Sequence, residues 1–165
     1  MALGVNVAIG SDHASSGIVD MTQEVRLACC CYKEMRLNPR VMPPETGIEM
    51  ATINGAKALG LGDVTGSITV GKRADLILIR TTDVNIAPLA NIETTIVQSA
   101  TPENVDTVMV DGRIVKRGGR LVGYDVPGIV ARAKDSARRI RTKAGGILAP
   151  VCDACGNPVR RVHSH

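Results

Sequence analysis

The run Val5 to Ile9, apolar except at Asn6 and followed at once by Gly10-Ser11-Asp12-His13, narrows the choice of fold more than any other segment. It lacks the polar-in-every-second-place pattern of a half-solvated strand. It therefore reads as a short strand covered on both faces, the kind found in parallel sheets and barrels. Such a strand needs neighbours along both edges, yet this one starts almost at residue 1. The expectation is that its neighbours are encoded upstream of this sequence, and that the helix following it exposes an apolar face. Asp12 falls where the strand gives way to a loop, and in α/β barrels that rim is where catalytic groups project. Position alone leaves two readings open: a functional carboxylate, or a cap on the next turn.

Beyond the loop, Asp20 with Gln23 three residues on forms a capping-box pattern. Met21, Val25, Ala28, Tyr32 and Met35 then recur at helical spacing on one face. Pro39, Pro43 and Pro44 end that helix and start another through Ile48, Met50 and Ala51. Thr52 to Gly55 breaks it, and Ala56 to Leu59 adds a last turn closed by Gly60 and Gly62. The texture changes at Gly66. Ser67 to Val70, Leu76 to Ile79, Thr107 to Val110 and Arg113 to Val115 are strand-forming runs, and Asp111-Gly112 between the last two is a hairpin signal. Val126, Ile129, Val130, Ala133, Ala137 and Ile140 mark an amphipathic helix, after which no periodicity remains.

With two Tyr and neither Phe nor Trp among 165 residues, the core must be filled by aliphatic side chains. That suits α/β layers and leaves little for stacking on nucleic-acid bases. The net charge of +4 belongs to the late basic cluster, Arg132 to Lys143 with Arg160 and Arg161, which reads as a solvated helix face rather than a nucleic-acid patch. Met1 to Gly10 is too short for a membrane span and lacks the basic lead-in of a signal peptide. Five Cys, three of them contiguous at Cys29 to Cys31, make a poor disulfide framework, so a reducing cytoplasm is expected and the three read as buried small hydrophobes.

Four motifs in order carry a resemblance. Gly4 to Asp12 with Asp20-Met21 and Glu24-Val25-Arg26, Met50 to Gly60, Gly66 to Ile79, and Val105 to Leu121 together resemble the C-terminal half of the metal-dependent amidohydrolase superfamily. The branch is that of the chlorohydrolases and the guanine, cytosine and methylthioadenosine deaminases. The resemblance implies an α/β fold, here the C-terminal part of a (β/α)8 barrel, incomplete, plus a small composite β-sandwich. The corresponding boundaries are 1–63 for the last strand and terminal helices of the barrel and 64–123 for the sandwich. They continue with 124–146 for the amphipathic helix and 147–165 for a flexible tail.

The same resemblance implies that Asp12 is a ligand of a zinc or iron ion and the base that moves a proton from bound water to the leaving group. A metal brings bound water to a pKa near 7, and a carboxylate within reach completes its activation. Water then attacks an electron-poor ring carbon of a small heterocyclic substrate and expels ammonia, an amine or chloride. The family's other ligands are histidines of earlier strands. Here the three histidines are His13, His163 and His165. One carboxylate does not hold a catalytic metal, so the chain alone is expected to be inactive and to need an N-terminal half as partner. A second copy of the chain is a further candidate partner; nucleic acid and membrane are not expected.

Where relatives carry a Ser-Asn-Asn-type run, this chain has Ala14-Ser15-Ser16-Gly17, so His13 and Ser15 are candidates for substrate contact or for loop-stabilising hydrogen bonds. Gly71 to Asp75 lacks the glycine run and Ser/Thr of a phosphate loop and reads as a structural turn. Cys152 and Cys155 with His163 and His165 offer four potential ligands for a structural zinc, although the histidine spacing is not that of a zinc finger. This leaves two alternatives to an enzyme fragment: a non-catalytic zinc-binding or interaction module using that tail, and one half of a split enzyme.

Overall fold

The computed structural model describes residues 3–12 and 19–143. They belong to two compact units that meet in the chain at Val122 and Gly123.

The first unit runs α1 (Met21–Arg36), α2 (Pro44–Ala51), α3 (Ile53–Ala58), β1 (Leu76–Ile79), α4 (Ile92–Gln98), β2 (Val105–Val110), β3 (Arg113–Arg117) and β4 (Arg120–Leu121). Helices and sheet together place it in the α/β class. The Asp20 carboxylate starts α1, accepting from the Thr22 backbone N–H at 2.9 Å and from the Thr22 hydroxyl at 2.7 Å. Leu37, in the left-handed region at φ 48°, ends it. One face of α1 meets α2 and α4. Val25, Cys29 and Val97 form the buried cluster, with Ile9, Ile48 and Ala51 packed against it. Gly47 permits the α1–α2 approach, since a Cβ there would run into the Cys29 sulfur. Arg26 locks α4 onto α1: its guanidinium donates to the Val97 carbonyl at 3.1 Å and the Ala100 carbonyl at 2.6 Å, satisfying acceptors that a helix end leaves open.

The remainder of the α1 stripe is uncovered. Met21, Tyr32 and Met35 are all exposed, as expected of a helix that follows an unpartnered strand. Between α2 and α3 the break is narrower than the sequence suggests. Thr52 alone leaves helical geometry (φ −123°, ψ −96°) and the helix resumes at Ile53.

Two expected strands are absent among the described residues. Val5–Ile9 enters no ladder, and Leu3 and Val5 lie open to solvent. A strand buried on both faces borrows both edges and both coverings from neighbours, and none of the described strands reaches it. Ser67–Val70 likewise joins no sheet, and its apolar side chains Ile68 and Val70 are fully exposed. Conversely, α4 is a seven-residue helix absent from the expected elements, although Ile92 and Ile96 stand at helical spacing. It starts at Asn91, whose side chain accepts from the Thr94 N–H as an N-cap.

The sheet is an antiparallel meander in the order β1-β2-β3-β4. β2 and β3 are joined at Asp111 (φ 49°) and Gly112 (φ 76°), the positive-φ pair a tight hairpin needs. Asp75 clasps this turn from outside. Its carboxylate accepts from the Asp111 backbone N–H and the Thr65 hydroxyl, both at 2.7 Å. At the other end of the β1–β2 ladder, the buried Asn104 amide accepts from Thr101 N–H and Asn85 Nδ2 and donates to Asp83 and Asn85. Arg80 pairs with the same Asp83 at 3.1 Å.

These bonds hold two carboxyls below their ordinary range. The Thr65 hydroxyl does so first at Asp75, followed by the Asp111 N–H; Arg80 does so first at Asp83, followed by Asn104. A carboxyl with a depressed folded-state pKa contributes stability above its unfolded value and loses it as pH falls through the folded one. Urea midpoints should therefore fall from pH 6 to pH 3. The double substitution Asp75→Asn, Asp83→Asn should flatten that slope; an equally steep slope in the variant would place the acid sensitivity elsewhere.

The second unit contributes α5 (Val126–Lys143), and none of its residues is buried. Asp125 caps it, the carboxylate accepting from the Gly128 N–H at 3.1 Å and the carbonyl from Ile129. The helix expected from Val126, Ile129, Val130, Ala133, Ala137 and Ile140 is present; Arg132, Lys134, Arg138, Arg139 and Lys143 on it are exposed and Arg141 is half-buried.

Candidate active site

Asp12 ends a segment laid against the α2–α3 junction. The Ile9 N–H donates to the Met50 carbonyl at 3.1 Å, and the Asn6 amide donates to the Asn54 carbonyl at 3.0 Å. Both acceptors lie close to the Thr52 break, so the interruption between the two helices gives the segment its anchorage. Two side chains of the segment meet the helices: Ile9 packs on the α1–α4 core, and Val7 lines a hollow with Ala28, Tyr32, Met42 and Met50. That hollow measures about 610 Å³, and a second of about 590 Å³ lies beside Ile9 between α3 and the loop from Leu61 to Leu76. Both are apolar and open. Sequence reasoning passed over them, because a hollow arises where several separate segments meet.

Asp12 itself is exposed, with φ 59°. Aspartate is among the few residues that take this left-handed geometry readily, since its short polar chain bonds locally. A catalytic zinc takes about three protein ligands and keeps one position open. Among the described residues, His, Cys, Asp and Glu nowhere come together in a group of three. One exposed carboxylate does not fit a catalytic metal, so the described residues do not constitute such a centre. His13 and Ser15, and the tail ligands Cys152, Cys155, His163 and His165, lie outside the described residues.

The remaining chemical groups are structural. Lys72 directs its ammonium at the Gly62 and Thr65 carbonyls and the Ser67 hydroxyl, at 2.5, 3.2 and 2.7 Å. All three N–H donors are thereby occupied, which makes Gly71 to Asp75 a turn rather than a phosphate cradle. Of the three contiguous cysteines only Cys29 is buried; Cys30 and Cys31 are exposed. The expectation that all three pack inside is corrected by helix geometry, which turns each successive residue by about 100°. Burial pushes the Cys29 thiol up, away from the thiolate that a nucleophile needs.

Comparison with known proteins adds a family. A model described as "Amidohydrolase family" matches residues 1–115. The chain is 40% identical over 141 residues to a 5-methylthioadenosine/S-adenosylhomocysteine deaminase of Desulforudis audaxviator, an alignment covering 85% of this chain and 33% of that protein. It is 38% identical over 137 residues to a 5'-deoxyadenosine deaminase of Methanobrevibacter smithii, covering 82% and 32%. Among solved structures, it is similar to an adenosine deaminase from Xanthomonas campestris with bound zinc, at a TM-score of 0.83 and 33% identity, covering 86% of this chain and 32% of that one. The chain thus spans about a third of the length of the curated relatives it matches.

Proposed function

The chain belongs to the amidohydrolase family, and from that premise we propose that it forms the C-terminal part of a hydrolase that deaminates a 5'-modified adenosine. The observation that carries the reading is the 40% identity to a deaminase across a stretch that takes in most of the chain. Deamination is preferred to dechlorination because the relatives at 40% and 38% identity are both named as deaminases of adenine nucleosides. Both names also describe a nucleoside altered at the 5' position, which sets the substrate class proposed for this chain.

In this reading residues 3–12 are the eighth strand of a (β/α)8 barrel, 64–123 the composite sandwich, 124–146 its following helix and 147–165 a tail. Asp12 is the proton carrier. Water adds to the ring carbon bearing the amino group, its proton passes through the Asp12 carboxylate to the departing nitrogen, the C–N bond breaks and ammonia leaves. The exposure of that carboxylate at the end of an anchored segment supports the role. His13 and Ser15 remain candidates for substrate contact, and the histidine metal ligands come from polypeptide outside this sequence.

The test is complementation. The purified 165-residue chain, incubated with zinc and 5'-deoxyadenosine, should release no ammonia. Adding the N-terminal two-thirds of the Desulforudis deaminase as a separate polypeptide should give a 1:1 complex that releases it. A stable 1:1 complex that still leaves 5'-deoxyadenosine, methylthioadenosine and adenosine intact would count against the reading.

A further inference from the structure

We infer that the turn from Gly62 to Ser67 is a binding site for a monovalent cation, and that the Lys72 ammonium is the cation resident in it. The inference is independent of the proposed reaction. The Gly62 carbonyl, the Thr65 carbonyl and the Ser67 hydroxyl converge on Lys72 Nζ at 2.5, 3.2 and 2.7 Å, and Lys72 is half-buried. All three partners are neutral oxygens, and Lys72 joins no ion pair among the described residues. A lysine ordinarily keeps its charged head in water or beside a carboxylate. Carbonyl oxygens that replace the hydration shell of a cation are instead the way proteins hold potassium. Hard divalent ions take carboxylates as well, and none belongs to this set.

Bonds that do not involve the Lys72 ammonium hold the oxygens in place. The Val64 and Thr65 N–H groups both donate to the Leu61 carbonyl at 2.9 Å, and the Arg73 N–H donates to the Val64 carbonyl at 2.9 Å. The Thr65 hydroxyl is fixed on the Asp75 carboxylate at 2.7 Å. Ser67 Oγ lies 3.1 Å from Thr69 Oγ1, so its proton can go to Thr69 while its lone pairs face the ammonium. Gly66 seats the turn against α3: a Cβ there would lie 2.7 Å from the Ala56 Cβ and 2.9 Å from the Ile53 Cα. Removing the ammonium therefore leaves three oxygens aimed at one point. Ammonium and potassium are the free ions nearest to the lysine head in size and charge; lithium and sodium are smaller and hold their water more tightly. The tether gives the resident cation a high effective concentration, so the intact chain needs no dissolved ion there.

The experiment uses the full 165-residue chain and its Lys72→Met variant, which keeps the apolar stem and removes the ammonium. Urea midpoints are read in lithium, sodium, potassium, ammonium and choline chlorides at equal ionic strength. In choline the variant should unfold at a lower urea concentration than the parent. Ammonium and potassium should restore roughly half of that loss along a saturating curve, as a ligand of the folded state does, while the parent responds alike to every salt. Adding Ser67→Ala to Lys72→Met should move saturation to about tenfold higher ammonium, because one of the oxygens is gone. No loss in choline, an equal response of Lys72→Met to every salt, a gain that never saturates, a parent that gains as much, or a curve unmoved by Ser67→Ala would each overturn the inference. If Lys72→Met is unfolded in choline, recovery of its circular dichroism on adding ammonium becomes the readout. Failure to recover in both Lys72→Met and the smaller Lys72→Ala overturns it as well.

Discussion

Asp12→Asn is expected to lower the turnover of the complemented enzyme by roughly a thousandfold, the scale of a lost general base. The substitution separates charge from shape. Asparagine is isosteric and also tolerates left-handed backbone, so the φ of 59° at this position costs it little. The position is exposed, and the anchors of its segment are the Ile9 backbone and the Asn6 side chain. Thermal stability and complex formation should therefore stay unchanged while ammonia release collapses. Ammonia release within a few-fold of the parent would remove Asp12 from the reaction and leave it as a turn residue, the other reading its position allows.

Gly66→Ala should cost folding about 4 kcal/mol, combining the penalty for left-handed backbone with that for overpacking. Gly66 sits at φ 86°. A Cβ there would lie 2.7 Å from the Ala56 Cβ, 2.9 Å from the Ile53 Cα and 3.2 Å from the Thr52 carbonyl oxygen. Two of these three are main-chain atoms of the α2–α3 junction, which cannot rotate aside as a long side chain can. That junction also anchors the segment leading to Asp12, so the variant should lose stability and the fixed placement of the carboxylate together. Gly71→Ala makes the control. It shares a positive φ of 94° with nothing within 4 Å of its would-be Cβ, so it should show the backbone penalty alone. Equal losses in the two variants would mean that the close approach at Gly66 contributes nothing.

Local chemistry was enough for much of this protein. Asp20 marks the start of α1 because a carboxylate can accept from N–H groups two residues away, and Asp111-Gly112 marks a hairpin because both take positive φ. The prolines before α2 and the stripe of α5 are legible for the same reason: each is decided by residues a few positions apart. The same holds for the family, since four short motifs in fixed order need no folded context to be recognised.

What waited for the tertiary structure depends on groups far apart in sequence. No local pattern announces that Arg26 caps α4 across more than seventy residues, that Asn104 joins Asp83, Asn85 and Thr101 in one polar knot, or that Lys72 spends its ammonium on loop carbonyls. Val5 to Ile9 is the clearest case. Its apolar composition reads correctly as a segment meant to be covered, but composition carries no partner, and an extended chain becomes a strand only when another backbone lies alongside it.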